Sequence, residues 1–139
     1  MKGRILLVED DEHIRDIYSL FIKGLGYSVT EAGSVKTALM HLDALDLVGV
    51  VLDLRLPNGH GRRVVEDLKS KRDDVPIVIL SAFPNEIKCE FPVVAALKKA
   101  EPGAAAALRD ALNKAMALSF PIFSLHDSVR RLSEITGVR

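Results

Sequence analysis

The sequence predicts a doubly wound α/β domain, in which helices cover both faces of a parallel β-sheet. Its length of 139 residues suits one domain. Short runs of apolar, largely β-branched residues indicate strands that are buried on both faces, which is typical of parallel sheets. Segments with helical periodicity lie between these runs, and this alternation of strand and helix is the pattern of an α/β fold.

Five runs of apolar residues are the predicted strands. They are Ile5–Val8, Tyr27–Thr30, Leu47–Leu52, Ile77–Leu80 and Val93–Leu97. The second run is short and half polar, whereas the others are unbroken or nearly so. We therefore expect a sheet of five strands, with a helix after each strand where the chain is long enough.

Apolar residues recur at helical spacing between the strands. The repeats occur in 14–25, 35–42, 64–68 and 108–116. In the first of them, Ile14, Ile17, Tyr18, Phe21, Ile22 and Leu25 share one face of a helix. Gly24 and Gly26 are predicted to end this helix, and Ser34 is the expected N-cap of the second. Pro102 lies near the start of the last repeat, where proline is tolerated.

The last part of the chain predicts one further helix. Leu125, Val129, Leu132 and Ile135 recur at helical spacing, and Ser124 with Asp127 resembles a capping box. We therefore divide the chain into a domain over 1–118 and a C-terminal extension over 119–139. The apolar stripe of this extension is expected to pack on its own domain or on a partner.

Composition and charge exclude several classes of protein. Hydrophobic residues make up 48% and charged residues 27%, which is an ordinary globular balance. The 19 basic and 19 acidic residues give a net charge of +0, which disfavours nucleic acid as a partner. No apolar run is long enough to span a membrane, and the first one ends in the acidic run Glu9–Glu12, unlike a signal peptide. With a single cysteine, Cys89, we expect a cytoplasmic protein in a reducing compartment.

Polar residues follow the predicted strands at the edge where ligands of parallel sheets bind. Glu9 and Asp10 follow the first strand, Asp53 ends the third, Ser81 follows the fourth and Lys99 follows the fifth. Carboxylates brought together repel each other, and a hard cation such as Mg²⁺ relieves that repulsion. An aspartate can also attack phosphorus, with a lysine and a metal ion neutralising the transferred oxygens.

Four motifs together resemble the receiver domain of two-component response regulators, over about residues 2–118. They are Ile5–Glu12, Leu52–Pro57 followed by Gly61, Pro76–Ala82 and Leu97–Lys99. The resemblance implies a flavodoxin-like sheet with strand order 2-1-3-4-5. It also implies Mg²⁺ as the cofactor and a phosphorylated aspartate as the signal.

The same resemblance assigns a role to each metal ligand and to the phosphoacceptor. Asp53 matches the aspartate that accepts the phosphoryl group. Asp10 matches the direct Mg²⁺ ligand, and Glu9 matches the acid that holds a water of the ion. Asp53 also belongs to the metal site, and the backbone carbonyl of Arg55 would complete the protein's share of the shell.

Two further residues match the family positions that contact the phosphoryl group. Ser81 matches the serine or threonine that senses it. Lys99 matches the lysine that pairs with it; Lys98 is the rival for this role, but the Leu-x-Lys spacing favours Lys99.

The sequence departs from the family pattern at three points. Ala100 stands where the lysine is normally followed by proline, and Ala96 stands where an aromatic ring normally reports the movement of the serine or threonine. Only 18 residues separate Ser81 from Lys99, so we expect the fourth helix to be short or missing, with a loop or a single turn in its place. We therefore expect the signal to leave by a face other than the usual fourth-helix face.

These observations favour a single-domain receiver that is not an enzyme. It would take a phosphoryl group from a sensor histidine kinase or a phosphotransfer protein and signal by conformational change to a downstream protein target that the sequence does not identify. The sequence leaves homodimerisation open. The alternative is a degenerate receiver that acts as a phosphorylation-independent protein-binding scaffold. A phosphatase would need a second catalytic acid, and no Asp-x-Asp follows a predicted strand.

Overall fold

The computed structural model describes residues 2–72, 74–87 and 93–117. In chain order the strands are β1 Arg4–Val8, β2 Ser28–Ala32, β3 Leu47–Leu52, β4 Arg55–Leu56, β5 Gly59–His60, β6 Ile77–Ser81 and β7 Val93–Lys98. The helices are α1 Glu12–Gly24, α2 Val35–Leu39, α3 Arg62–Lys71 and α4 over 104–117, together with a three-residue 3₁₀ turn, Pro84–Glu86.

Five of the strands form one parallel sheet in the order β2-β1-β3-β6-β7. Strands β4 and β5 form a separate antiparallel hairpin of two residues each. Counted without this hairpin, the sheet has the expected 2-1-3-4-5 order, and the prediction of a flavodoxin-like parallel sheet is confirmed.

Alternate residues of each strand enter two hydrophobic cores, one on either face of the sheet. In β1, Leu6 and Val8 pack with residues of α2 and α3, whereas Ile5 and Leu7 pack with residues of α1 and α4. All four side chains are buried. The unbroken apolar runs are therefore explained by helices on both faces, as the doubly wound prediction required.

Helix α1 ends at Gly24, near where the sequence predicts, but its buried stripe is narrower than its apolar face. The carboxylate of Asp11 accepts a hydrogen bond from the Ile14 amide, which caps the helix. Ile22 is fully buried, whereas Ile17 is 53% exposed. The shared apolar face is therefore only partly buried, because helical spacing gives the direction of an apolar face and not its width.

Helix α2 is shorter than the repeat that predicted it. The predicted cap is present, since the hydroxyl of Ser34 accepts a hydrogen bond from the Thr37 amide. The helix ends at Leu39, although Leu42 beyond it is still fully buried. The helical spacing of the buried residues thus continues past the end of the helix.

The β4–β5 hairpin lies directly after Asp53 and returns the chain to the sheet. Pro57 and Asn58 form its turn, and Asn58 has a φ of 60°, which asparagine tolerates better than most residues. The Gly61 amide donates to the Leu54 carbonyl, and a Cβ on Gly61 would lie 2.5 Å from the backbone oxygen of Asp53. Only glycine lets this backbone pass so close to the end of β3.

The connection from β6 to β7 is short, as expected. Its described part contains only the 3₁₀ turn Pro84–Glu86, and residues 88–92, which include Cys89, lie outside the described residues. The predicted helix in 119–139 also lies outside them, so the division at residue 118 stays a prediction. Across the residues that the structure describes, no helix has the length and hydropathy needed to cross a membrane.

Candidate functional site

One buried and one exposed carboxylate lie directly after the end of β1. Glu9 is only 3% exposed, whereas Asp10 is open to solvent. The backbone of Glu9 is held on both sides, because its amide donates to the Ala32 carbonyl and its carbonyl accepts from the Arg15 guanidinium at 2.8 Å. These bonds fix the point where the chain leaves the sheet, and hence the direction of the Glu9 side chain.

The end of β3 places a second buried carboxylate beside the first. Asp53 is 4% exposed, and its amide donates to the Val8 carbonyl at the end of β1. One carboxylate oxygen from each of Glu9, Asp10 and Asp53 lies within 4.8 Å of the others. The predicted meeting of these three acids at one edge of the sheet is therefore observed.

The ends of β6 and β7 add the hydroxyl and the amine. Ser81 is fully buried, and its hydroxyl accepts a hydrogen bond from the Phe83 amide at 3.2 Å. The Lys99 amide donates to the Ser81 carbonyl at 2.9 Å, which fixes Lys99 just beyond the end of the sheet. Its neighbour Ala100 adopts a φ of 66°, a left-handed conformation that is costly for alanine.

The ammonium group of Lys99 joins the two buried carboxylates. Its Nζ lies 2.7 Å from Oδ2 of Asp53 and 3.0 and 3.1 Å from the two carboxylate oxygens of Glu9. Lys98, the rival for this position, has a 57% exposed side chain and pairs with Glu101 at 3.7 Å. The structure thus brings Lys99 into the site and leaves Lys98 outside it.

Burial and hydrogen bonding move the pKa values of the two buried acids in opposite directions. Burial raises the pKa of Glu9 to about 7, and the neighbouring Asp53 acts in the same direction, whereas Lys99 acts to lower it. Burial also acts to raise the pKa of Asp53, but hydrogen bonds with Glu9, Lys99 and Ser81 outweigh it and hold the pKa below its usual value of 3.8. Asp53 is therefore the carboxylate that stays ionised at neutral pH.

The pKa of Lys99 is raised, so its amine stays protonated. Burial alone would lower this pKa, but the hydrogen bonds to Asp53 and Glu9 outweigh that effect. The site therefore holds a fixed positive charge next to the ionised oxygen of Asp53.

The donor atoms of this site fit a hard divalent cation. Three carboxylates within 4.8 Å of one another offer only oxygen, which is the ligand type that Mg²⁺ prefers. One of them, Asp10, faces solvent, which leaves a path for an ion that keeps some of its own waters. Glu9, Asp10 and Asp53 are thus the residues of the described chain that could hold Mg²⁺.

A second cluster beside the site was not found from the sequence. The guanidinium of Arg55 pairs with the carboxylate of Glu86 and lies over the ring of Phe83, 3.8 Å from its centroid. Arg55 and Glu86 are 31 residues apart and both belong to irregular or very short elements, so no periodic pattern could have linked them. At the position of the missing family aromatic, Ala96 is partly buried against the core.

The fold and the site together define an α/β domain with a cluster of three acids and a lysine at the carboxyl edge of its sheet. Comparison with known families is consistent with this definition. Residues 5–100 match the response regulator receiver domain, which is more than half of the chain. The chain therefore belongs to the response regulator receiver domain family, and the resemblance inferred from its motifs is confirmed.

Curated relatives support the same family and are longer than this chain. The transcriptional regulatory protein QseB of Haemophilus influenzae is 38% identical over 79 residues, which cover 57% of this chain and 36% of the relative. The regulatory protein VanR of Enterococcus faecium is 29% identical over 87 residues, covering 63% and 37%. The chain thus spans little more than a third of the length of these relatives.

Solved structures of receiver domains have the same fold. A CheY-like receiver domain protein from Methanospirillum hungatei aligns with a TM-score of 0.74 at 17% identity, over 87% of this chain and 98% of the other. The response regulator TrrA of Thermotoga maritima, in complex with Mg²⁺ and BeF, aligns with a TM-score of 0.70 at 22% identity, over 81% and 98%. The likeness covers nearly the whole length of these single domains.

Proposed function

We propose that this receiver domain accepts a phosphoryl group on Asp53 in a Mg²⁺-dependent reaction and signals through the conformational change that follows. The observation that carries the proposal is the position of the Lys99 ammonium, 2.7 Å from Oδ2 of Asp53 at a buried edge that also holds Glu9. A positive charge fixed beside an ionised carboxylate is what an incoming phosphoryl group needs.

In the proposed reaction, an ionised oxygen of Asp53 attacks the phosphorus of a phosphohistidine. The new P–O bond makes an acyl phosphate on Asp53, and the P–N bond breaks with its electron pair returning to the imidazole ring of the donor. The depressed pKa of Asp53 supports this role, because only the ionised carboxylate is a nucleophile. No proton has to be removed from Asp53 before the attack.

The residues around Asp53 suit the charge of the product. The Lys99 ammonium would move from pairing with the carboxylate to pairing with a phosphoryl oxygen, and the buried Ser81 hydroxyl would donate a hydrogen bond to another. Mg²⁺, held by Glu9, Asp10, Asp53 and the backbone carbonyl of Arg55, would neutralise further negative charge on the transferred group.

The proposal extends to the partners of the domain. Receiver domains are phosphorylated by histidine kinases, and we propose a sensor histidine kinase or a phosphotransfer protein as the donor for this chain. A downstream protein receives the signal, with no nucleic acid or membrane required, and the domain acts in the cytoplasm. Whether the domain forms a homodimer is open in this proposal, and light scattering measures it.

Incubation with acetyl phosphate and Mg²⁺, followed by intact-mass measurement, tests the proposal. We expect the wild type to gain one phosphoryl group and Asp53→Asn to gain none. Asp11→Asn is the matched control: Asp11 belongs to the same acidic run, but its side chain caps α1, a role that asparagine also fills. It should gain the group like the wild type.

The scaffold alternative predicts a different result. If the wild type binds Mg²⁺ and gains no phosphoryl group, the domain does not function as a phosphoacceptor. The replacements at Ala96 and Ala100 would then mark a receiver that has kept its fold and lost its switch.

A further inference from the structure

Arg55, Phe83 and Glu86 form a cluster that we call the Arg55 clasp. Nε of Arg55 donates to Oε1 of Glu86 at 3.0 Å, and its Nη2 donates to Oε2 at 3.2 Å. The same guanidinium lies 3.8 Å from the centroid of the Phe83 ring, within cation–π distance. One cation therefore holds an anion and an aromatic ring at the same time.

The clasp joins the two loops that carry the phosphorylation site. Arg55 follows Asp53 by two residues, and Phe83 follows Ser81 by two residues. The Phe83 amide donates to the hydroxyl of Ser81 at 3.2 Å, and Ser81 in turn acts to lower the pKa of the Asp53 carboxyl. A change of charge at Asp53 therefore reaches the clasp along both loops.

The ion pair between Arg55 and Glu86 in the clasp is weak enough for Arg55 to exchange Glu86 for another anion. The Arg55 side chain is 60% exposed and that of Glu86 is 30% exposed, so water and salt weaken their attraction. Glu86 also has other partners, because His60 Nε2 lies 3.8 Å from its carboxylate and the Arg62 guanidinium donates to its backbone carbonyl at 2.9 Å. Loss of Arg55 would not leave Glu86 isolated.

Building on the proposed phosphorylation of Asp53, we propose that the phosphoryl group takes Arg55 from Glu86 and thereby releases Phe83. Phe83 then serves as the aromatic readout that Ala96 cannot provide. Arg55 is thus the residue that stabilises the phosphorylated state. Phe83 is the apolar side chain whose exposure changes with phosphorylation.

The charges favour this exchange. A phosphoryl group carries about −1.5 to −2 charges at neutral pH, against one for the carboxylate of Glu86, and its oxygens match the fork of a guanidinium. Phe83 is already 48% exposed, and the contact with the Arg55 guanidinium helps to hold its ring in place. When the guanidinium leaves, this contact is lost.

The lifetime of the phosphorylated protein separates this proposal from a structural role. Arg55→Gln keeps the backbone carbonyl and removes the cation, so it should shorten the lifetime by about two- to fivefold, as expected for one exposed ion pair. Glu86→Gln frees Arg55 for the phosphoryl group and should lengthen the lifetime by a similar factor. Arg63→Gln, which breaks the comparably exposed Arg63–Asp67 pair, is the control and should leave the lifetime unchanged.

Arg55→Gln and Glu86→Gln both break the same ion pair, so a loss of protein stability would affect both variants alike. Opposite changes in the lifetime of the phosphorylated protein therefore cannot come from lost stability. Equal shortening in both variants, or no change in either, would overturn the exchange. The lifetime is followed by intact mass after removal of acetyl phosphate. A wild type that never gains the group overturns the proposed function and the exchange together, whereas a wild type that gains it and shows no opposite effects overturns only the exchange.

A fluorescence measurement tests the release of Phe83 directly. The chain contains no tryptophan, so Phe83→Trp places a single reporter in the clasp. Acetyl phosphate with Mg²⁺ should change the emission and raise quenching by acrylamide, and Arg55→Gln in the same background should abolish the response. A response of equal size without Arg55, or none in a protein whose mass shows phosphorylation, would refute the release.

Discussion

Replacing Lys99 with methionine is expected to destabilise the fold at pH values where Glu9 is ionised. The Lys99 ammonium lies within 3.1 Å of two carboxylates that are each less than 5% exposed, and it joins residues 46 and 90 positions away in the chain. Methionine keeps the length of the side chain and removes only the charge. The two buried carboxylates then face each other without a counter-ion.

The magnitude follows from the burial of the three groups. Removing one partner from a buried ion pair costs about 3–5 kcal/mol. Here a proton on Glu9, whose pKa is already raised to about 7, relieves part of the repulsion. We therefore expect a loss of about 3 kcal/mol at about pH 8 and a smaller loss at about pH 5.5, where Glu9 is protonated in both proteins.

Urea unfolding followed by circular dichroism measures this difference. With a slope of about 1–3 kcal/mol per molar urea, a loss of about 3 kcal/mol should lower the midpoint by about 1–3 M at the higher pH. Saturating Mg²⁺ should recover much of the loss, because it supplies positive charge to the same carboxylates.

Lys98→Met is the matched control for this prediction. It removes the same charge at the neighbouring position, where the side chain is exposed, and should change stability by less than about 0.5 kcal/mol. Equal effects of the two substitutions, or a Lys99→Met protein as stable as the wild type at the higher pH, would contradict this prediction.

Three further predictions concern stability and metal binding. The Ser19 hydroxyl is buried and has no hydrogen-bond partner among the described residues. Ser19→Ala should therefore stabilise the protein by about 1 kcal/mol in urea unfolding, and a lower stability would contradict this. Ala100→Gly should add about 0.5–1 kcal/mol by relieving the left-handed φ of 66°, and unchanged or lower stability would count against strain there. Because burial raises the pKa of Glu9 to about 7, its proton competes with the cation for the carboxylate. Mg²⁺ affinity should therefore rise between about pH 6 and about pH 8, and binding should release protons, which calorimetry in two buffers measures. An affinity that does not change with pH would contradict this competition.

The arrangement of the sheet could be predicted because each strand is marked by its own local sequence. Continuous apolar runs such as Leu47–Leu52 report burial on both faces, and the capping residue Ser34 marks a helix start. The strand order came from the resemblance and not from these patterns. The meeting of Glu9 and Asp53 could be predicted because parallel strands end at one edge of the sheet.

Distances across the site could not be read from the sequence. Spacing favoured Lys99 over Lys98, but its simultaneous contact with two acids depends on how far β7 extends before the chain turns. The Arg55 clasp was missed because Glu86 lies on a 3₁₀ turn of three residues, too short for any periodic signal. The half-exposed position of Ile17 could not be predicted because periodicity does not report how much of a helix its neighbours cover.

The chemical identity of the phosphorylated residue tests directly whether Asp53 is the phosphoacceptor. Borohydride reduces an aspartyl phosphate to homoserine, so protein treated with acetyl phosphate and Mg²⁺ can be reduced, digested and sequenced by mass spectrometry. We expect homoserine at position 53 and unmodified aspartate at Asp10 and Asp11, which lie at the same edge of the sheet. Homoserine at either of those positions, or at none in the presence of bound Mg²⁺, would contradict the assignment of Asp53 as the phosphoacceptor.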